Sequence, residues 1–208
     1  MWASVTMIMI YVKYNRSGFV KNGKHRDLPL QSFKDYQKLI TEVDQLCYEI
    51  RQSYGKYIAC KKGCAGNCCQ RHINVFPVEA IAFGLALRTF PQELADRIRH
   101  MACVATSFGP CPLLEDGACL MYESRAIICR THGYPILNEY RGQRTVGFCH
   151  KNFKNVPSIS EDRLIELAPL NKRLAAINQR FTKEFDGWRP MADRFTIGEA
   201  LMLDIPFH

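Results

Sequence analysis

The chain has 208 residues, 47% of them hydrophobic, with 28 Lys and Arg against 20 Asp and Glu for a net charge of +8. That length and balance fit one sizeable core, or a core with a satellite lobe, in an ordinary globular protein. They exclude a membrane-spanning helix, because no apolar run reaches the roughly 18 residues such a span needs.

The first twelve residues, MWASVTMIMIYV, are apolar but short. No basic residue precedes them and no small-residue cleavage site follows, so they read as a buried strand or an extended N-terminus rather than a signal peptide. The expected compartment is the cytoplasm. Residues 13–26, KYNRSGFVKNGKHR, carry five Lys and Arg and no acid. They read as a solvated, glycine-bearing loop, with an arm for nucleic acid as the sharper alternative. No nucleic-acid fold signature accompanies them, so a nucleic-acid partner is not expected.

Residues 32–54 form an amphipathic helix by pattern. Tyr36, Leu39, Ile40, Val43, Leu46, Cys47 and Ile50 recur at three- and four-residue steps. Ser32 is the expected N-cap and Gly55 the stop. The cluster CKKGCAGNCC follows at 60–69, in a loop that Gly63 and Gly66 let bend. HINVF then alternates like a short strand. Pro77 opens a helix over 78–89. A second helix follows Pro91, with Leu94, Ile98, Met101, Ala102 and Ala105 on one face. Asp116-Gly117 divides two apolar stretches as a tight hairpin would, and ESRAIICR supplies one or two helical turns. YPILNEY and RTVGFC flank RGQ as a second hairpin. Leu170, Leu174, Ile177, Phe181 and Phe185 keep helical spacing after Pro169, and Thr196-x-x-Glu199 is a capping box opening a last short helix. The expected fold is mainly α with small β-hairpins, a single α+β domain built around a multi-cysteine metal site. Its parts are an N-terminal extension and helix (1–55), a cysteine-cluster region (56–155) and C-terminal helices on the same core (156–208).

Ten cysteines are the sharpest feature. In a reducing compartment such density points to metal rather than disulfides. There is no C-x-x-C pair, hence no thioredoxin-like motif. Cys47 lies on an apolar helical stripe, and a buried thiol behaves as a small hydrophobe. Cys103 sits beside another stripe, and both read as packing residues. The other eight, Cys60, Cys64, Cys68, Cys69, Cys111, Cys119, Cys129 and Cys149, fall in loops, hairpins or short turns, where the backbone can bring thiolates to a shared centre. A structural zinc takes four such ligands. An iron–sulfur cluster takes four spread over several irons. Adjacent side chains point apart, so Cys68 and Cys69 suit two irons or two separate metals better than one small ion.

A thiolate-rich centre is anionic and needs nearby cations or N–H donors in a low dielectric. Lys61, Lys62, Arg71, Arg125 and Arg130 are close in sequence to the proposed ligands. His72, His132 and His150 are neighbours better suited to hydrogen bonding than to ligation. The C-x3-C-x2-C spacing of radical S-adenosylmethionine chemistry fails by one residue, at Asn67.

CKKGCAGNCC, CPLLEDGACLMYESRAIICRTHGYPI and GFCHKNF together resemble the YkgJ-type cysteine-cluster family, over roughly residues 56–155. The resemblance implies a zinc- or iron-chelating domain, often an iron–sulfur protein, with those eight cysteines as ligands and a 4Fe-4S cluster or zinc as cofactor. Two departures stand out. Ala126 occupies a position where the family usually has proline. Three residues, Ala65-Gly66-Asn67, precede the paired cysteines where two are usual. A related branch is the flagellin lysine N-methylase, which implies an S-adenosylmethionine-dependent enzyme. No glycine-rich nucleotide loop after a strand is visible. Three functions follow: a metalloprotein in redox or metal handling, a methylase-like enzyme, or a structural zinc module for partner or nucleic-acid binding. No catalytic residue can be named.

Overall fold

In the computed structural model, which describes residues 30–64, 67–70 (backbone alone at 67 and 68), 73–106, 109–185 and 192–203, the first amphipathic stripe folds as helix α1, Gln31–Tyr54. The apolar run 1–12 and the basic stretch 13–26 lie outside the described residues. The apolar face of α1 is the expected one, with Tyr36, Leu39, Val43, Cys47 and Ile50 buried. Its start differs. The helix begins at Gln31 after Leu30, with no side-chain cap. Ser32 is instead buried inside the first turn, where its hydroxyl donates to Glu184 Oε2 at 2.7 Å. A long-range acceptor has replaced the local capping bond.

Pro77 opens helix α2, Pro77–Leu87, and α3 covers Gln92–Val104. Helix α2 is apolar all round because it is buried on two sides. Val78 and Ile81 pack with α1 and the C-terminal helix α5, Leu167–Glu184. Ala80, Phe83 and Leu87 pack with α3 and the last helix α6, Ile197–Leu201. The two apolar clusters therefore meet along α2. The short α4, Ile127–Thr131, lies beside α1. Pro169 falls within the first turn of α5 rather than before it, where a missing N–H is harmless. Thr196 and Glu199 form the expected capping box: Thr196 Oγ1 accepts from Glu199 N–H at 3.2 Å, and Thr196 N–H donates to Glu199 Oε2 at 2.7 Å.

Strands are short. β1, Asn74–Val75, pairs antiparallel with β7, Phe195–Thr196, tying the start of α2 to the start of α6. β2, Leu114–Glu115, pairs with β3, Ala118–Cys119, across Asp116-Gly117. β4, Ile136–Tyr140, pairs with β5, Gln143–Gly147, across Arg141-Gly142, and lies parallel to β6, Ile165–Glu166. Both hairpin loops have two residues at positive φ (48° and 76°, then 50° and 77°), as a tight two-residue turn requires. No described helix is long and apolar enough to cross a membrane.

Cys103 departs from expectation. It is exposed, one residue past buried Ala102 and hence about 100° round α3 from the packed face. Cys47 is buried as expected. Its thiol points at the Arg130 carbonyl, 3.8 Å away, and burial pushes its pKa up to about 12.

Glu79 joins the two halves of α2's surroundings. It is 3% exposed, accepting from Phe76 N–H at 3.0 Å and from Ile127 N–H at 3.1 Å. Burial raises its pKa above the ordinary 4.5, against the pull of those two donors. A carboxyl that holds its proton more firmly when folded adds stability below its unfolded pKa, and loses that contribution as pH rises through the folded one. Glu79→Gln should cost about 1–3 kcal/mol by urea unfolding, because one N–H loses its acceptor. The difference between wild type and variant should shrink as pH rises above 4.5.

Candidate functional site

Each candidate cysteine is positioned by a short element. Cys60 and Cys64 flank a turn closed by Cys64 N–H donating to the Lys61 carbonyl, with Gly63 at φ +80°. Cys69 lies in a single helical turn, Asn67–Gln70, and its carbonyl accepts from Cys111 N–H at 2.8 Å. Cys119 ends β3, Cys129 lies on α4, and Cys149 follows β5. The nine described cysteines are thiols rather than cystines.

Six of the eight expected ligands line one cavity of about 100 Å³: Cys60, Cys64, Cys69, Cys111, Cys119 and Cys129. Phe83, Leu113 and Ile197 supply apolar wall, and Arg51, Arg125, Arg130 and His132 supply polar groups. Cys149 is not among the lining residues, but its charge acts on the Cys60 thiol. The thiols interact in two groups. Burial raises Cys60 to about 11, and Cys149 and Cys64 add to the rise. Burial likewise raises Cys129 to about 12, with Cys111 and Cys119 adding to it. Among the described residues, no three His, Cys, Asp or Glu side chains stand together at metal-ligating distances. The cavity gathers the thiols without closing them into a ligand set. The side chain of Cys68, and all of Arg71 and His72, lie outside the described residues. His132 lines the cavity and burial lowers its pKa, while His150 is exposed beside Cys149.

The loops are held together by residues that motif reading did not single out. Asn152 is 1% exposed. Its Oδ1 accepts from Ala59 N–H at 2.9 Å and Cys60 N–H at 3.1 Å, while its Nδ2 donates to the Gly133 carbonyl at 2.7 Å. Gly133 has φ +94°, and a Cβ there would come 2.8 Å from Cys60 Sγ. Only glycine lets that thiol pass so close to the backbone. Arg51 Nη2 donates to the Cys60 carbonyl and to the Tyr134 hydroxyl, both at 3.0 Å. The sequence offered a weak signal for Gly133, which stands just past α4, and none for Asn152.

Arginines frame the other side. Arg130 is 8% exposed, pairs with Asp44 at 2.6 Å, and donates to the carbonyls of Arg125 and Glu123. These bonds fix the residues leading into α4 and Cys129. Arg125 lies over the Tyr122 ring at 3.3 Å, and its buried Nε has no hydrogen-bond partner among the described residues. An unsatisfied cationic donor beside crowded thiols is the environment a thiolate centre needs and neutral thiols do not. The donor set is soft and sulfur-rich, which suits zinc or iron–sulfur and not calcium or magnesium.

Comparison with family models, curated proteins and solved structures yields no match for this chain. The likeness to the YkgJ-type family thus rests on the motifs themselves.

Asn152→Ala should remove three hydrogen bonds at once, one fully buried and two partly so, and lower stability by about 2–4 kcal/mol in urea unfolding. A change within about 0.5 kcal/mol, the size expected of a surface substitution, would mean that the loops are held by something else.

Proposed function

We propose that this chain is a cysteine-ligated metal-binding protein of the reducing cytoplasm, holding an iron–sulfur centre and serving in redox or metal handling. The observation that carries the reading is the gathering of six thiols, contributed by separate loops and turns, around one cavity. The partnerless Arg125 Nε supports it. So do the motifs shared with the YkgJ-type family. Cys60, Cys64 and Cys149 would hold metal on one side, and Cys69, Cys111, Cys119 and Cys129 on the other. Cys68 belongs to the same set by motif. A bound cluster would supply one-electron chemistry, whereas zinc would supply structure alone.

The chain's own residues have separable tasks in this reading. Asn152 and Arg51 hold the Cys60 backbone still. Gly133 gives its thiol room. Arg125 offsets negative charge as thiols lose their protons, and the wall of Phe83, Leu113 and Ile197 limits water. Binding would draw the thiols together and couple metal to folding, because the ligands come from distant segments.

Anaerobic purification followed by iron, zinc and acid-labile sulfide analysis tests the proposal. Iron and sulfide in comparable amounts are expected. Stoichiometric zinc without sulfide would replace the redox role with a structural one, and absence of both metals would refute metal binding. Cys129→Ala should lose metal and stability together, whereas Cys47→Ala should keep its metal within error. Gly133→Ala should behave like a ligand variant although it removes no ligand, with metal content falling several-fold.

A further inference from the structure

The segments 56–64 and 147–154 lie side by side. Phe153 N–H donates to the Tyr57 carbonyl at 2.7 Å, Asn152 Oδ1 accepts from Ala59 and Cys60 N–H, and Lys151 Nζ reaches the Cys64 carbonyl at 3.5 Å. Lys151 and Cys64 are 87 positions apart in sequence, and Asn152 and Ala59 are 93 apart. Together the two segments carry Lys56, Lys61, Lys62, His150, Lys151 and Lys154, all exposed, and no Asp or Glu. Among the described residues, none of the five lysines has a carboxylate within ion-pair distance. Lys61 lines the thiol cavity and Lys151 is tied to the Cys64 carbonyl. Lys56, Lys62 and Lys154 have neither contact, although Lys56 lies 4.9 Å over the Tyr57 ring. No sequence motif announces this basic face, because fold contacts between distant segments assemble it.

One aromatic ring is presented in this field. Phe148 stands two positions before His150 and is 43% exposed. Its inner side packs on Phe153, with ring centroids 5.1 Å apart and planes tilted by 52°. Phe153 is itself 3% exposed and meets Tyr54 edge-on at 6.0 Å. A buried ring therefore backs the open one, and a ring already held in place loses little freedom when something stacks on it. Uncompensated cations on one face attract polyanions. Charge alone would serve an acidic protein or a nucleic acid. The ring separates the two, because a nucleic-acid strand carries a flat π-face at every position along the backbone that bears its charge. A duplex keeps those faces stacked inside. Unpaired bases are required, and they are the usual targets in RNA. Lysine fits this use as a compact point charge that meets phosphate without reading a base.

We propose that this face binds single-stranded RNA, with Lys56, Lys62 and Lys154 on phosphates and a base stacked on Phe148. The inference stands apart from the metal reading, because none of these four residues lines the thiol cavity. Its signature has two parts. Release of counterions from the strand makes affinity fall steeply with salt. Stacking on the ring adds a contribution that salt hardly changes.

The test uses the full chain purified anaerobically, a fluorescein-labelled oligouridine about 12 nucleotides long, and fluorescence anisotropy over a range of salt. The logarithm of the wild-type binding constant should fall linearly with the logarithm of salt concentration. In the triple variant Lys56→Gln/Lys62→Gln/Lys154→Gln that slope should be shallower by about 2, the counterion release expected for three phosphates of a single strand. The basic stretch 13–26 is intact in this variant, so it cannot account for the change. Phe148→Ala should weaken binding about tenfold at every salt concentration, and Phe148→Tyr should restore it. The three lysines are exposed and their variant is expected to fold, so the slope decides the matter if Phe148→Ala does not fold. An unchanged slope, or no binding at low salt, would overturn the proposal. A polyglutamate of equal charge that competes as well as the oligouridine, while Phe148→Ala binds normally, would make the face a site for acidic proteins and the proposal wrong. Tighter binding of an oligothymidine or a duplex of the same length would remove RNA as the occupant. None of these outcomes bears on iron, zinc or sulfide content, so failure here leaves the metal reading as it stood.

Discussion

Asn152 ties its own segment to the Cys60 loop and to Gly133. Its amide satisfies two N–H groups beside Cys60 and reaches across to the carbonyl of Gly133. Buried polar groups are tolerated only when hydrogen-bonded, and here one side chain meets that demand for three loops. The close pass of the Cys60 thiol over Gly133 depends on it. So does the alignment of the 149–153 segment with residues 57–60, which sets Cys149 against Cys60. A thiol cavity made from loops is only as well defined as the bonds that fix those loops.

A second constraint comes from the position of the cavity. Its apolar walls belong to the cluster around α2, α3 and α6, while Tyr134 belongs to the cluster around α1 and α5. Glu79 accepts from the backbone at the start of α2 and at the start of α4, and Arg130 ties α4 to Asp44 on α1. Thiols at such a junction lie in a medium that favours their protonated form, hence the raised pKa values of Cys60 and Cys129. A thiophilic cation reverses that preference by stabilising the thiolate directly. The arginines around the cavity make the reversal less costly, and the orphaned donor on Arg125 is the clearest sign of it.

Much of the local structure was legible in the sequence because local rules decide it. Asp116-Gly117 turns as its residue types favour, Thr196 and Glu199 cap α6, and the stripe on α1 buries the residues its period selects. The reading of Cys47 as a packing residue was legible from its helical register. The same reading failed for Cys103, which is one position beyond a packed residue, and a helix turns about 100° per residue. Ser32 misled because its local capping role lost to Glu184, 152 residues away in sequence. Asn152, Glu79 and Arg130 are similar in that each has a partner far along the chain, Cys60, Ile127 and Asp44 respectively. The cysteine motif identified which residues to watch. It could not say that six would share one cavity, or that Cys60 would interact with Cys64 and Cys149, and Cys129 with Cys111 and Cys119.

The central claim is that these sulfurs hold a metal. X-ray absorption at the edge of whichever metal accompanies the anaerobically purified protein tests this directly. The account predicts sulfur as the nearest neighbour, with zinc–sulfur distances of about 2.3 Å if the metal is zinc. It also predicts that the sulfur signal diminishes in Cys129→Ala. A nearest shell of oxygen and nitrogen, unchanged by that substitution, would contradict it.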